Sequence, residues 1–354
     1  MDYKIYDLGD EETESESAYK EDSKRKTGWL IAILLAVVIV TIASLYIGNL
    51  DFSFSEITSA ILSMDTSSTI GRFVWEIDLP LAVAAIVSGA LLSLAGAAMQ
   101  CVLRNPLASP YTLGISNAAA FGAAFSILFL TGASSAFGGH MTTVSAFIMA
   151  ILATGLILFL TKVTKISSET MILAGIAVSA IFSAGMTLMQ YIADPIQLSS
   201  IVSWTFGSLK SNWRWDAVLT VVLILSAMYY YARRWDMNAM NSGDEIARGL
   251  GVNTNRFLVL GMTVAAIATA FVVSEFGIIS FVGLLGPHIA RTMVGEDHRA
   301  LIPMSMLTGA LLLLVANVVA RNIILPQVLP VGLLTSLIGG PAFIYMLIRR
   351  YRRA

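Results

Sequence analysis

The sequence predicts an all-α polytopic membrane protein with ten spans. Three observations predict it. Charged residues make up 13% of the 354-residue chain and mean hydropathy is +0.77, whereas soluble domains carry roughly 25% charged residues. The missing charge falls in blocks: 28–48, 79–103 and 171–193 hold none, and each is long enough to cross ~30 Å of hydrocarbon. These blocks are apolar all round, unlike the one-sided helices of a soluble core. Finally, the ten spans sort the basic residues, with eighteen of the 22 lysines and arginines on one side and four on the other. Such a split marks the cytoplasmic side.

The chain opens with a polar tail, residues 1–27, whose low hydrophobicity and dense charge predict disorder. The apolar run after it is too long for a cleaved signal peptide. The membrane domain then covers 28–350. Its spans are expected at 28–48, 79–103, 112–131, 141–161, 170–192, 215–232, 257–274, 277–293, 302–320 and 331–348. The eighth contains Gly283, Gly286 and Pro287, so a broken or partly re-entrant segment is expected there. Both termini fall on the cytoplasmic side of a cell membrane. Gly89, Ala90, Gly96, Ala97, Gly283, Gly286, Gly339 and Gly340 are small enough to let helix backbones approach closely.

Between spans six and seven lies NSGDEIARGLGVNTNR, residues 241–256. It reads as a short water-soluble helix. Ser242 and Glu245 have the capping-box spacing, Asp244 and Glu245 suit a helix N-terminus, and Gly249 and Gly251 end it. Ile246, Ala247 and Leu250 share a face. Such a helix either lies idle on the membrane or plugs a partner's groove.

Several chemistries are missing. There is no HExxH motif, and His140, His288 and His298 sit in separate loops or spans. Cys101 is the single cysteine, and no Cys/His spacing suits a metal or cofactor. No lysine follows a glycine, which excludes a phosphate-binding loop, so any ATPase is another polypeptide. Of the 23 acidic residues, only Glu275 is placed near membrane depth. That argues against an ion-coupled secondary carrier, although backbone carbonyls also bind Na⁺. An intramembrane enzyme lacks its catalytic set.

Three stretches carry a resemblance: SGALLSLAGAAMQCVLRNPLASPYTLGISNAAAFG at 88–122, GDEIARGLGV at 243–252, and GIISFVGLLGPHIARTMVGEDHRALIP at 277–303 followed by LPVGLLTSLIGGPAF at 329–343. In order and wording they resemble FecCD/BtuC-type permeases from about Trp29 to Arg350. The resemblance implies the type II ABC importer permease fold, with ten helices per subunit. It implies a second permease subunit in a homodimer, two copies of an ABC ATPase, an extracytoplasmic substrate-binding protein, the lipid bilayer, and no nucleic acid. The cargo it implies is an iron chelate, a ferric siderophore or related complex, with cobalamin or haem as the alternatives.

The resemblance also assigns roles. Coupling helices lie within 236–256, and ATPase contact falls on Gly243, Asp244, Glu245, Ala247, Arg248, Leu250 and Gly251. A cytoplasmic gate falls on Ser167, Ser168, Glu169, Thr170, Ile172 and Leu173. Span five offers the path Ser179, Ser183, Met186, Thr187, Met189 and Gln190, a weakly polar wall suited to a large chelate. His298 and Arg299, in the cytoplasmic loop, are expected at the ATPase. Arg321 matches a docking arginine for the binding protein. The family's R-L-P-R motif is replaced by WEIDLPLA, so Asp78 and Leu81 stand in place of two arginines. Arg72, Lys210 and Arg214 are the substitutes at that face, while Glu76 and Asp78 add negative charge.

Overall fold

A computed structural model describes residues 8–47, 53–64, 66–130, 140–164 and 167–351. Residues 1–7 of the tail, Lys165 and the last two arginines of the C-terminal RRYRR lie outside the described residues. Every described element is helical. α1 is Leu8–Tyr46, α2 Phe54–Ser63 and α3 Thr69–Arg72, followed by a π-helical turn, Phe73–Asp78. α4 is Leu79–Val102, α5 Ile115–Phe129, α6 Met141–Thr164, α7 Ser168–Ile192 and α8 Pro195–Thr205. α9 is Trp213–Ala232, α10 Arg234–Asn241, α11 Asp244–Gly249 and α12 Thr254–Phe276. α13 is Val282–Val294, α14 His298–Asn322 and α15 Val331–Tyr351.

Each predicted span coincides with one of these helices. Among the described residues, seven helices are long and apolar enough to cross a membrane, and α5 and α15 are shorter apolar helices. The eighth span is interrupted. α12 stops at Gly277, whose φ of +76° suits glycine, and 277–281 is irregular before α13 begins. Thirteen residues of α13 reach only ~20 Å at 1.5 Å per residue. The irregular stretch lies before the helix, at Gly277, whereas α13 runs unbroken through Gly283, Gly286 and Pro287, where the break was expected.

α4 is the centre of the molecule. From Val87 to Val102 every residue is buried, and α14, α12, α13 and α9 all pack on it. Small residues permit this. A Cβ added to Gly96 would lie 1.7 Å from the Gly283 carbonyl oxygen, and one on Gly89 would lie 2.3 Å from that of Gly309. Ser93 fills the space beside these contacts and donates to the Ser305 carbonyl at 2.5 Å.

The tail departs from expectation. Its described part is helical from Leu8 and continuous with the first span. Glu and Lys are good helix formers, and a helix propagating out of an existing span needs no new nucleus. Asp22 pairs with Arg25 and Lys26 along one side. Leu30 and Ile33 then pack on Ala290, Val294, Leu301 and Met304. Sequence reasoning also missed α2 and α8, each started by a capping box, Ser53 with Glu56 and Asp194 with Gln197.

Candidate functional site

The segment between α9 and α12 forms two short helices, α10 and α11, and α11 is the short helix expected within 241–256. α10 ends at Asn241 with Ser242 as its C-cap, and α11 starts after Gly243 at φ +111°. Ser242 is therefore not the N-cap it was expected to be, because it closes the preceding helix. α11 ends in a Schellman turn: Val252 N–H donates to Ala247 O and Gly251 N–H to Arg248 O, both at 2.9 Å. Gly251 supplies the required positive φ, +87°. Gly249 takes no part in this reversal.

The proposed ATPase-contact residues then divide. Ala247 is fully buried, while Ile246 and Leu250 are 55% and 70% exposed. α11 thus turns a small residue inward and two large apolar ones outward. Its position is fixed on three sides. Asp244 accepts from Arg104 Nη2 at 2.8 Å, and Arg248 Nε donates to Thr254 Oγ1 at 3.0 Å. Met237 and Met240 of α10 are buried beneath. Glu245 remains exposed in the first turn.

α10 is tied in turn to the start of α14. Asn238 Nδ2 donates to Asp297 Oδ1 at 2.9 Å, and Asn238 Oδ1 accepts the His298 backbone N–H at 2.8 Å. The same oxygen lies 2.9 Å from His298 Nδ1. Arg299 bonds Asp297 at 2.7 Å, covers the Trp235 ring at 5.0 Å and reaches Tyr19 of the tail. His298 is wholly buried, which corrects the expectation that it touches the ATPase. Burial pushes its imidazole down to about 4, with the charge of Arg291 adding to the effect and Asp297 opposing it.

The expected gate residues lie at the start of α7. Ser167 is its N-cap, accepting from Thr170 N–H at 3.2 Å and lying 2.8 Å from Thr170 Oγ1. Ser168 and Ile172 are half-buried, Glu169 is exposed, and Leu173 is 67% exposed. Further along α7, Met171, Ala174, Gly175 and Val178 face the protein. Ser179 is turned inward, accepting from Asn117 Nδ2 at 2.6 Å. Ser183 and Thr187 lie on the exposed side, and Met186, Met189 and Gln190 are half-buried. The expected path residues therefore share one helix but not one face.

The end of the bundle that holds Asp78 and Arg321 carries the main corrections. Asp78 is buried and accepts a hydrogen bond from Arg321 Nη2. Their side chains are 0% and 14% exposed. Neither presents a free charge to a docking partner. The π-helical turn carries Asp78 into the bundle, where the end of α14 meets it. Arg72 remains 66% exposed beside Glu76 at 3.7 Å, and Lys210 and Arg214 are also exposed.

A second acid at depth was missed. Asp216, in the first turn of α9, is 1% exposed, and its carboxylate finds no hydrogen-bond partner among the described residues. Glu275 is 5% exposed and accepts from Thr143 Oγ1 at 3.1 Å. Asp216 already lies inside the expected span 215–232, one residue from its start, so placing only Glu275 near membrane depth was a mistake. The argument against ion coupling from a lone acid at membrane depth therefore loses force.

The profile of the FecCD transport family matches residues 34–349. The chain belongs to the FecCD transport family. Among similar FecCD-type proteins is an ABC transporter permease, provisionally so named, of Methanocaldococcus jannaschii, 44% identical over 343 residues and covering 95% of this chain and 98% of its own. The hemin transport system permease HmuU of Yersinia pestis is 33% identical over 319 residues, covering 90% and 94%. Among solved structures, a provisionally assigned metal-chelate type ABC transporter in an inward-facing conformation matches with a TM-score of 0.78. It is 29% identical and covers 91% of this chain and 99% of its own. The fold is thus the type II permease fold. The family match excludes the whole N-terminal tail, residues 1–27, and includes α10, α11 and the whole of α7.

Proposed function

We propose that this chain is the membrane-spanning subunit of an ATP-binding-cassette importer that carries an iron chelate across the cytoplasmic membrane. It makes no covalent change to its cargo. Two copies form the permease, each seated on an ATPase subunit, and an extracytoplasmic binding protein delivers the cargo. Both termini face the cytoplasm. The observation that carries this reading is α11. A rigid, capped helix presents Ile246 and Leu250 outward while Ala247, Arg104 and Thr254 anchor it. Exposed apolar residues on a short helix suit a partner's hydrophobic groove.

ATP-driven closure of the ATPase pair pushes on α10 and α11. α10 packs on α4 and α14, and α11 packs on α10 and α12, so the push reaches the bundle core and biases it between two packings. α7 supports the route: its exposed side carries Ser183 and Thr187 among apolar residues, and its N-terminal end carries the gate at Ser167–Leu173. Such a surface lets a large, partly apolar chelate pass without gripping it. A haem cargo is the second reading, favoured by the likeness to a hemin permease.

Reconstitution in proteoliposomes tests the reading. With its ATPase and binding protein, the chain should take up a ferric siderophore in an ATP-dependent way, and uptake should survive collapse of proton and sodium gradients. Gradient-driven uptake by the chain alone would establish a secondary carrier instead.

A further inference from the structure

An apolar groove of about 410 Å³ opens between α9 and α14. Met228, Tyr231 and Ala232 form one side, and Ile302, Pro303 and Met306 form the other. None of the coupling, gate or path roles uses these residues. α9 packs more extensively on α4 and α12 than on α14, which leaves the gap. A charged site adjoins it. Arg234, the first residue of α10, donates from Nη1 to the Tyr231 carbonyl at 2.7 Å. Its guanidinium lies 4.5 Å from the Tyr231 ring centre and 5.9 Å from that of Trp235. Tyr231 therefore belongs both to the groove and to the charged site.

The local charges leave Arg234 over. Arg233 bonds Asp236 at 2.9 Å and Arg299 bonds Asp297 at 2.7 Å. Glu296, next to Asp297 in the chain, lines a separate cavity with Arg104 and Arg291, and Arg291 donates to Gln100 Oε1 at 2.7 Å. Arg234 has no carboxylate partner among the described residues. A guanidinium carries five N–H donors, and Tyr231 takes one of them.

We propose that an anionic phospholipid occupies this place, with one hydrocarbon chain in the groove and its phosphate on Arg234. The groove offers hydrocarbon a wall without charged side chains. Guanidinium matches phosphate, which it grips with two parallel N–H bonds. Tyr231 and Trp235 are of the types that sit at the level of lipid head groups. A head group with net negative charge neutralises Arg234, whereas a zwitterionic one brings a further cation to a site that already has one in excess. The bound lipid bridges α9 and α14 beside the start of α10.

The experiment uses the full-length permease in detergent with equal amounts of phosphatidylglycerol and phosphatidylcholine, and native mass spectrometry counts the lipids that stay bound. The wild-type chain should retain phosphatidylglycerol about tenfold over phosphatidylcholine. Arg234→Gln should remove that preference, and Arg234→Lys should keep part of it. Ala232→Phe fills an exposed position of the groove and leaves Arg234 in place. It should lower retention of both lipids, so it tests the site even if Arg234→Gln proves unstable. Met228→Cys adds a thiol on the groove wall, the buried Cys101 being out of reach. Phosphatidylglycerol should slow its labelling by a maleimide. Equal retention of the two lipids by the wild-type chain, a preference that survives Arg234→Gln, or unchanged retention in Ala232→Phe overturns the proposal. So does protection of the thiol at position 228 by the ATPase or by a second copy of the chain in the absence of lipid, which would make the groove a protein contact.

Discussion

Asp78 and Arg321 show how one residue's meaning depends on its neighbour. Each is polar and near the outer end of a span, which on sequence alone suggests a docking surface. Buried together, they instead clamp the start of α4 to the end of α14. Removing one partner of a buried pair strands the other charge. Asp78→Ala should therefore destabilise the protein by about 3–5 kcal/mol, while Asp78→Leu combined with Arg321→Met should recover most of that loss. Thermal unfolding in detergent measures both, and an unaffected Asp78→Ala protein would disprove the clamp. His298 gives a pH prediction. Its folded value is about 4 and an unfolded imidazole titrates near about 6.5. Between these the unfolded chain holds the extra proton. The stability it contributes is complete above pH ~6.5, is lost as pH falls toward ~4, and changes no further below. The full loss is about 3 kcal/mol. His298→Asn should flatten stability across that window, and an unchanged slope would show that other groups set it.

At the scale of elements, α11 depends on its ends more than on its six residues. Gly251 closes the Schellman turn at positive φ, and alanine there costs about 1 kcal/mol or more. The cost falls on a short peripheral helix, so Gly251→Ala should lower transport-coupled ATP hydrolysis more than it lowers the melting temperature. Leu250→Asp should abolish coupling with the spans intact, since it buries an unpaired charge at the contact. Vesicle uptake alongside a folding probe separates the two variants. Normal uptake by Leu250→Asp would remove α11 from the coupling route. The sequence marked this helix correctly by its acidic start and glycine end. It could not show that Ser242 belongs to α10, because a serine beside a glycine fits the end of one helix and the start of the next equally well.

At the scale of the molecule, α4 is the shaft around which the other spans pack, and its glycines set the distances. Gly96→Leu should prevent assembly of a folded protein, because the Gly283 carbonyl already occupies the space. Even modest overpacking costs about 1–3 kcal/mol. Expression and size-exclusion profiles give the outcome, and a well-folded Gly96→Leu protein would show that α13 is free to move away. The ten apolar segments, their order and the soluble helix were legible in the sequence, whereas the break in the eighth falls at Gly277 and not at Gly283, Gly286 and Pro287. Crossing hydrocarbon demands long uncharged runs, which leave a mark on single segments. Contacts between distant segments leave no such mark. Only the folded chain places Asp78 against Arg321, Gln100 behind Arg291, Asn238 between Asp297 and His298, and Asp216 out of water. Each depends on where two or more helices cross, and that is decided by how small and large side chains interlock across the bundle.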